Sequence, residues 1–264
     1  MDKSERIHEL VDMLNSASRA YYAEDAEIMS NFEYDRLYDE LRALEDETGI
    51  VLSNSPTHTV GYESVDELPK ERHASPMLSL DKTKDREALR DWLGSNRGLL
   101  SWKLDGLTIV LTYEDGRLTK AVTRGNGETG EVITANARTF VNLPASIPYR
   151  GTLVLRGEAV IGYKDFELIN ASIPEAESRY KNPRNLCSGS VRQLSSKVTA
   201  DRHVKFFAFS LVSAEDVDFK NSRQAQFDFL AEQGFAVVEH HMVDRDSILD
   251  RIDYYARSID SKNF

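Results

Sequence analysis

Residues 107–130 read LTIVLTYEDGRLTKAVTRGNGETG, and the first half of that stretch decides the fold. Leu107 to Tyr113 is rich in β-branched and aromatic residues, as a strand should be. Asp115-Gly116 is a two-residue turn signal of the kind that needs left-handed backbone, and Leu118–Thr123 then reads as the returning strand. The second half carries Gly125, Gly127 and Gly130 as G-x-G-x-x-G, with an acidic residue, Glu158, further on. That pattern superficially resembles a dinucleotide fingerprint. The strand before it is one arm of a hairpin, however, and not the opening of a parallel βαβ unit. No later segment supplies a second mononucleotide half. The Rossmann reading is therefore rejected.

Working outward, Thr152–Leu155, Val204–Leu211 and Phe235–Val238 read as further strands, with Arg156-Gly157-Glu158 closing the first of them. Asp85 is placed to cap a short helix with Ala88, Leu89, Trp92 and Leu93 on its buried side. Residues 222–233 form a helix stopped by Gly234, and a last helix runs from about Ser247 to Ala256. Strands joined by tight turns imply antiparallel sheet, so the class expected is α+β and not doubly wound α/β.

Toward the N-terminus the periodicity changes. Ile7, Leu10, Val11 and Leu14 recur at helical spacing over residues 4–19. Ser30 and Glu33 have capping-box spacing, and Tyr34, Leu37, Tyr38, Leu41 and Leu44 continue one face of a second helix. The stretch from Val51 to Ser75, with two prolines and little periodicity, reads as a connector. The expected organisation is a helical domain over 1–66 and a larger mixed domain over 67–264.

Composition bounds the function. The 264 residues are 41% hydrophobic, enough for a substantial core. The longest apolar run, FFAFSLV at 206–212, is far too short to span a membrane. The charged N-terminus lacks a signal-peptide core, and the single Cys187 excludes an internal disulfide; a cytoplasmic location follows as the default. A net charge of -11 is the wrong sign for a protein that grips DNA phosphates with its whole surface. A nucleic-acid role then requires a local basic patch or further domains.

Four segments carry candidate chemistry. Lys103-Leu104-Asp105-Gly106 places a lysine among apolar, strand-like neighbours, where burial of an ammonium is costly unless it has a task. Partial desolvation would favour the neutral amine, a usable nucleophile. By itself K-x-D-G is a weak signal. Glu158 brings a carboxylate that suits a ribose hydroxyl or a metal. Asn182-Pro183-Arg184-Asn185 and Gly189-Ser190-Val191-Arg192-Gln193 supply arginine forks that suit phosphates. His240 and His241 are adjacent on an apparent strand, so they point to opposite faces and do not form a metal pair; no side-chain metal site is expected.

Taken in order, KLDG, TRGNGETGE, NARTFVNLP, LRGE and NPRNLCSGSVRQL resemble the adenylation domain of bacterial NAD-dependent DNA ligases. YYAEDAEIMSNFEYDRLYDEL is similar to that family's N-terminal helical domain, and SPTHTVG and HASPMLSLDKT to its linking segments. The resemblance implies a ligase-type nucleotidyltransferase fold with antiparallel sheets. It implies that Lys103 attacks the α-phosphate of NAD, forming a lysyl-AMP and releasing nicotinamide mononucleotide (NMN), with nick sealing in DNA replication and repair as the end. Asp105 and Gly106 would shape the ribose end, and Ser79 and Leu80 would lie beside the adenosine. Arg124 and Glu158 would contact the nucleotide sugar, while Arg184 and Arg192 would line a phosphate- or DNA-facing surface. Tyr21, Tyr22, Tyr34 and Asp35 would grip the NMN half, since aromatic faces stack a pyridinium and a carboxylate complements its charge. Helix core is the competing reading of Tyr34. Magnesium is implied by the phosphoryl chemistry, held mainly by phosphates.

Several positions depart from the pattern. Ser101 stands where the family has an adenine-recognising glutamate, and Asn31 where an aspartate is usual in the NMN-binding set. Asn126 and Val132 replace aspartates, and Leu186-Cys187-Ser188 replaces an alanine-rich turn. The family's D-G-x-V-x-K motif, a further lysine and the DNA-gripping domains would follow Phe264, so the chain is expected to be a truncated form that holds nicked duplex weakly and is monomeric. The alternative is a divergent module that binds NAD or NMN without reacting. A stand-alone transferase using ATP or GTP is the third reading, and the tyrosine-bearing front domain opposes it.

Overall fold

The computed structural model describes residues 2–23, 28–58, 65, 67–77, 81–175 and 178–259; of residues 19, 21–23 and 31 the backbone alone is described. The chain opens with α1 (Lys3–Ala23) and α2 (Asn31–Thr48), packed against one another. Ile7, Leu10, Val11 and Leu14 of α1 are fully buried against Leu37 and Leu41 of α2, with Ile50 and Leu52 closing the cluster. At about 1.5–3 kcal/mol for each buried aliphatic side chain, that seam holds the pair together. Ser30 Oγ accepts from the Glu33 amide at 3.2 Å, the expected N-cap, and Gly49 ends α2 in the left-handed region at φ 71°.

The connector contributes strands where none was expected. β1 (Val51–Leu52) and β2 (Lys70–Arg72) both lie within it. After α3 (Arg86–Leu93) come β3 (Gly98–Ser101), β4 (Leu107–Glu114), β5 (Arg117–Thr123), β6 (Thr129–Glu131), α4 (Thr134–Ala137), β7 (Pro144–Ser146) and β8 (Leu153–Val160). They are followed by α5 (Tyr163–Ala171), α6 (Pro183–Val191), α7 (Ser196–Ala200), β9 (Lys205–Ala214), α8 (Arg223–Glu232), β10 (His240–Val243) and α9 (Ile248–Ser258). The main sheet runs β1-β7-β5-β4-β8-β9 with antiparallel ladders throughout, and β10–β3 and β2–β6 form two smaller antiparallel pairs. The class is α+β.

Alternation along β4 explains the layering. Ile109, Leu111 and Tyr113 are wholly buried beneath Phe140, Leu186, Cys187 and Phe206, which leaves Thr108, Val110 and Thr112 on the opposite face. The β4–β5 turn is tight as expected, with Asp115 and Gly116 at φ 48° and 75°. β1 ties the helical pair into the sheet, for Ser53 N donates to Leu143 O at 2.9 Å and Ser53 Oγ to Phe140 O. His8 of α1 donates from Nε2 to Gly234 O at 3.1 Å.

Three expectations are corrected. Arg156-Gly157-Glu158 lies inside β8 and not at its end. A Cβ at Gly157 would stand 2.2 Å from Phe206 Cζ, so this glycine admits an aromatic ring and is no strand stop. Phe235–Val238 makes only one parallel bridge, Val237 with Ala208, because the chain leaves α8 through Gly234 at φ 88° and runs alongside β9 too briefly for a ladder. On α3, Asp85 caps as expected, but Ala88 is exposed and Trp92 is 79% exposed. Only the Leu89–Leu93 row packs, on Val243, Ile248 and Ile252, and that contact is one row wide.

Candidate active site

Lys103 lies where the chain leaves β3 and before it enters β4. It is exposed, outside any strand, which corrects the expectation of a lysine desolvated in a strand. Its neighbour Trp102 is anchored on the opposite side. The Trp102 amide donates to Glu239 O at 3.3 Å, its indole Nε1 donates to Glu239 Oε2 at 2.9 Å, and its ring meets Tyr255 edge-on at 4.5 Å. With Trp102 held against α9, Lys103 is left facing outward. Ser101 ends β3, half-buried, directly across from His240.

Three residues on, the backbone dives. A Cβ at Gly106 would stand 1.9 Å from Ala159 O, so no other residue fits this passage unless β8 moves. The close approach lets the Gly106 amide donate to Glu158 Oε1 at 3.0 Å. The other carboxylate oxygen, Oε2, accepts from Thr108 Oγ1 at 2.8 Å, across the β4–β8 register pair of Thr108 and Glu158. Glu158 is almost fully buried. Burial pushes its carboxyl above the usual carboxylate value, opposed by the Thr108 and Gly106 hydrogen bonds and by the charges of Lys103 and Arg184. Behind it lies the buried Cys187 thiol, which donates to Ala159 O at 3.1 Å and is itself pushed up by burial and by Glu158.

Arg184 reaches the same place from the first turn of α6. Asn182 caps that helix by accepting from the Asn185 amide at 2.8 Å, and Pro183 occupies its first turn. Arg184 Nη1 donates to Asp105 Oδ1 at 2.6 Å, an exposed pair. Lys103, Asp105, Gly106, Glu158 and Arg184 thus meet where β4, β8 and α6 come together. Arg124 joins from just past the end of β5. Its amide donates to Thr108 O at 2.9 Å, and its guanidinium donates to Met77 O at 3.1 Å.

Other sequence-predicted residues stand apart or lie outside what is described. Arg192 pairs with Glu131 at 3.5 Å and donates to Ser188 Oγ at 2.7 Å, with no contact to the Lys103 group. Tyr34 is partly buried in the helical core, its hydroxyl 3.0 Å from Ser18 Oγ and its ring stacked at 6.5 Å on Tyr38, while Asp35 is exposed on α2. Ser79 and Leu80 lie outside the described residues, as do the side chains of Tyr21, Tyr22 and Asn31. His240 and His241 sit on opposite faces, one against Phe227 and the other against Tyr254 and Tyr255. Among the described residues no group of three or more His, Cys, Asp or Glu converges on one point. The glycine-rich loop serves its own turn: Asn126 Oδ1 accepts from the Glu128 and Thr129 amides, and a Cβ at Gly125 would stand 1.9 Å from Thr129 O.

Sequence reasoning missed three residues on the face that carries Glu158. Thr108 is one. Arg156, two residues before Glu158, donates to Ser75 Oγ at 3.2 Å, and its buried Nε has no partner among the described residues. The third, Phe209, is the extra residue of a β-bulge, since Arg156 pairs with Ser210 and Gly157 with Ala208. Strand alternation counted outward from the buried Ile109 and Leu111 gives the first. The bulge has no sequence signature. Residues 179–205 also concentrate seven lysines and arginines against one aspartate, a strongly basic segment in a chain of net charge -11.

Comparison with known proteins adds the following. Residues 65–263 match the NAD-dependent DNA ligase adenylation domain family, and residues 1–61 match the DNA ligase-like N-terminal NAD+-binding domain family. A DNA ligase of Lachnoclostridium phytofermentans is 59% identical over 262 residues, 99% of this chain and 40% of that protein. One of Ruminiclostridium cellulolyticum is 58% identical over 263 residues, 100% of this chain and 40% of that protein. One of Helicobacter pylori is 37% identical over 250 residues, covering 91% and 38%. The chain therefore spans about 40% of the length of the first two of these curated relatives.

Proposed function

The chain belongs to the NAD-dependent DNA ligase family, and from that premise we propose that it is the self-adenylating portion of such a ligase, with Lys103 as the nucleophile. Lys103 Nζ in its neutral form attacks the α-phosphorus of NAD. A phosphorus–nitrogen bond forms, the bridging oxygen bond breaks, NMN leaves with that oxygen, and the amine gives up a proton. The observation that carries this reading is the convergence of Lys103, Asp105, Glu158 and Arg184 around the Gly106 passage.

Each group has a role suited to its surroundings. Arg184 holds Asp105 in place and offers its remaining guanidinium donors to phosphate oxygens. Asp105 and Gly106 border the ribose. Glu158, with both oxygens engaged, is a fixed acceptor for a sugar hydroxyl, and Arg124 lies on the Met77 side. Phe209 and Phe207 offer aromatic surface on the same face. Ser101 stands two residues from the nucleophile. Magnesium would supply charge neutralisation on the phosphates, held mainly by the nucleotide. Residues 1–66 form the NMN-binding domain, with Tyr21, Tyr22, Asn31, Tyr34 and Asp35 in that set, and residues 67–264 the adenylation domain.

The 5′-phosphate of a nick in duplex DNA takes AMP from Lys103 in replication and repair, and AMP leaves when the nick is sealed. The basic segment 179–205, which holds Arg184 and Arg192, is the duplex's contact on this chain. One such patch on an acidic chain gives weak, salt-sensitive binding. The chain is assigned to the cytoplasm as a monomer; among the described residues no helix is long and apolar enough to cross a membrane.

A donor comparison tests the reading. The protein is incubated with magnesium and either NAD or ATP, and released NMN is measured alongside intact mass. NMN release matched by an AMP-sized mass gain with NAD, and no gain with ATP, is expected. A gain with ATP overturns the donor assignment. Saturable NAD binding without any adduct, in this chain and in one extended to the length of its relatives, favours the module that binds without reacting.

A further inference from the structure

We propose that Thr108 is a positioning residue that aims the Glu158 carboxylate and ties it to Arg124, so that two nucleotide-contacting groups, one on β8 and one just past β5, are set by one side chain and its own backbone. The inference rests on the adenylation reading for its functional meaning, while its geometric content stands without it. Thr108 is the second residue of β4, between β5 on one side and β8 on the other. Its hydroxyl donates to Glu158 Oε2 at 2.8 Å, and its carbonyl accepts from the Arg124 amide at 2.9 Å. Gly106 N holds the other carboxylate oxygen at 3.0 Å. The carboxylate is thus pinned at two points from one short segment, with its plane fixed.

A buried carboxylate with one acceptor oxygen unpaired loses a charge-assisted hydrogen bond and can rotate. The groups that face Glu158 differ by element. Lys103 lies on the loop before β4, Arg184 and Cys187 on α6, and Phe207 across the register on β9. Of these, Arg184 is already paired with Asp105 and the Cys187 thiol with Ala159 O. Neither replaces the threonine as a short-range partner of Oε2. Burial raises Glu158, and the hydrogen bond from the Thr108 hydroxyl is the strongest influence holding it down. Removing that hydroxyl therefore moves Glu158 toward its protonated, neutral form.

The test uses Thr108→Val, which keeps shape and strand preference but lacks the hydroxyl, and Thr108→Ser, which keeps the hydroxyl. Thr112→Val, four residues along the same face, controls for the loss of a threonine from this strand. Carbon-13 glutamate labelling with NMR titration follows the Glu158 carboxyl, its signal identified by its disappearance in Glu158→Gln. The Glu158 midpoint is expected to rise in Thr108→Val and to hold its wild-type position in Thr108→Ser and Thr112→Val. In parallel, single-turnover adduct formation from NAD should lose roughly tenfold at mildly acidic pH in Thr108→Val, far less at pH 8, with Thr108→Ser restored, as a raised midpoint in an essential group produces. A midpoint unmoved in Thr108→Val, or raised equally in Thr108→Ser, overturns the inference. The titration decides this whether or not the wild-type chain forms an adduct, so failure of the adenylation reading and failure of the inference are separate results.

Discussion

Replacing Gly106 by alanine tests the passage that brings the nucleophile's loop against β8. The added Cβ would stand 1.9 Å from Ala159 O, 2.9 Å from Val160 Cγ1 and 3.0 Å from Ala159 C. The valine methyl can rotate away. The carbonyl cannot, because Ala159 is paired with Leu107 on one side and Phe206 on the other and accepts from the buried Cys187 thiol. Ordinary contact begins near 3.4 Å, so the 103–106 segment must lift by about 1.5 Å, enough to break the 3.0 Å bond from Gly106 N to Glu158. Overpacking costs about 1–3 kcal/mol, and leaving one oxygen of a buried carboxylate unpaired about 1.5–3 kcal/mol. A total of about 2.5–6 kcal/mol lowers Tm by roughly 5–20 °C in a domain of this size. The share that falls on Glu158 alignment slows adduct formation by roughly a hundredfold. Thermal melts and single-turnover mass spectrometry read the two effects. Gly189→Ala is the control: its new Cβ meets first the Tyr180 side chain, at 3.2 Å, and a helical alanine regains about 0.5–1 kcal/mol over glycine. A Gly106→Ala protein within about 2 °C of wild type, forming adduct at an undiminished rate, would falsify the claim that this close approach builds the site.

Glu158→Gln should flatten one part of the stability profile. Because burial raises the folded value of Glu158 above the ordinary 4.5, the folded state binds the proton more tightly, and stability declines as pH rises through that window. The glutamine variant should lose that decline in melts between pH 4 and pH 7 while losing adduct formation; a profile superimposable on wild type contradicts the assignment. His8→Gln has the opposite sign. Burial lowers the His8 value below 6.5, so stability is complete above that pH and lost as pH falls; glutamine keeps a donor for Gly234 O without titrating and should remove the loss. On α3, Leu93→Ala should cost about 2–5 kcal/mol and Trp92→Ser less than about 0.5 kcal/mol, measured by urea denaturation. Equal costs would mean that Trp92 packs after all.

The antiparallel hairpin, the helical pair, the caps at Ser30 and Asp85 and the segments holding Lys103, Glu158 and Arg184 were all legible, because each rests on local spacing or turn chemistry. What was illegible depends on partners distant in sequence. Gly157 resembles a strand stop until Phe206 is placed over it, and Trp92 resembles core until the surface facing α3 proves one row wide. The exposure of Lys103 follows from Trp102 being claimed by Glu239 and Tyr255, contacts more than a hundred residues away. Thr108, Arg156 and Phe209 share the Glu158 face through strand register and a bulge, neither of which leaves a motif in the chain.

The central claim is that Lys103 Nζ forms the bond to AMP, and peptide mapping after reaction with NAD and magnesium addresses it directly. The protein is denatured and digested under conditions that preserve phosphoramidates, and the fragments are sequenced by tandem mass spectrometry. The expected result is AMP on the peptide containing Trp102-Lys103-Leu104 and nowhere else, with no adduct from Lys103→Ala. AMP on a different side chain, or an undiminished adduct in Lys103→Ala, would contradict it.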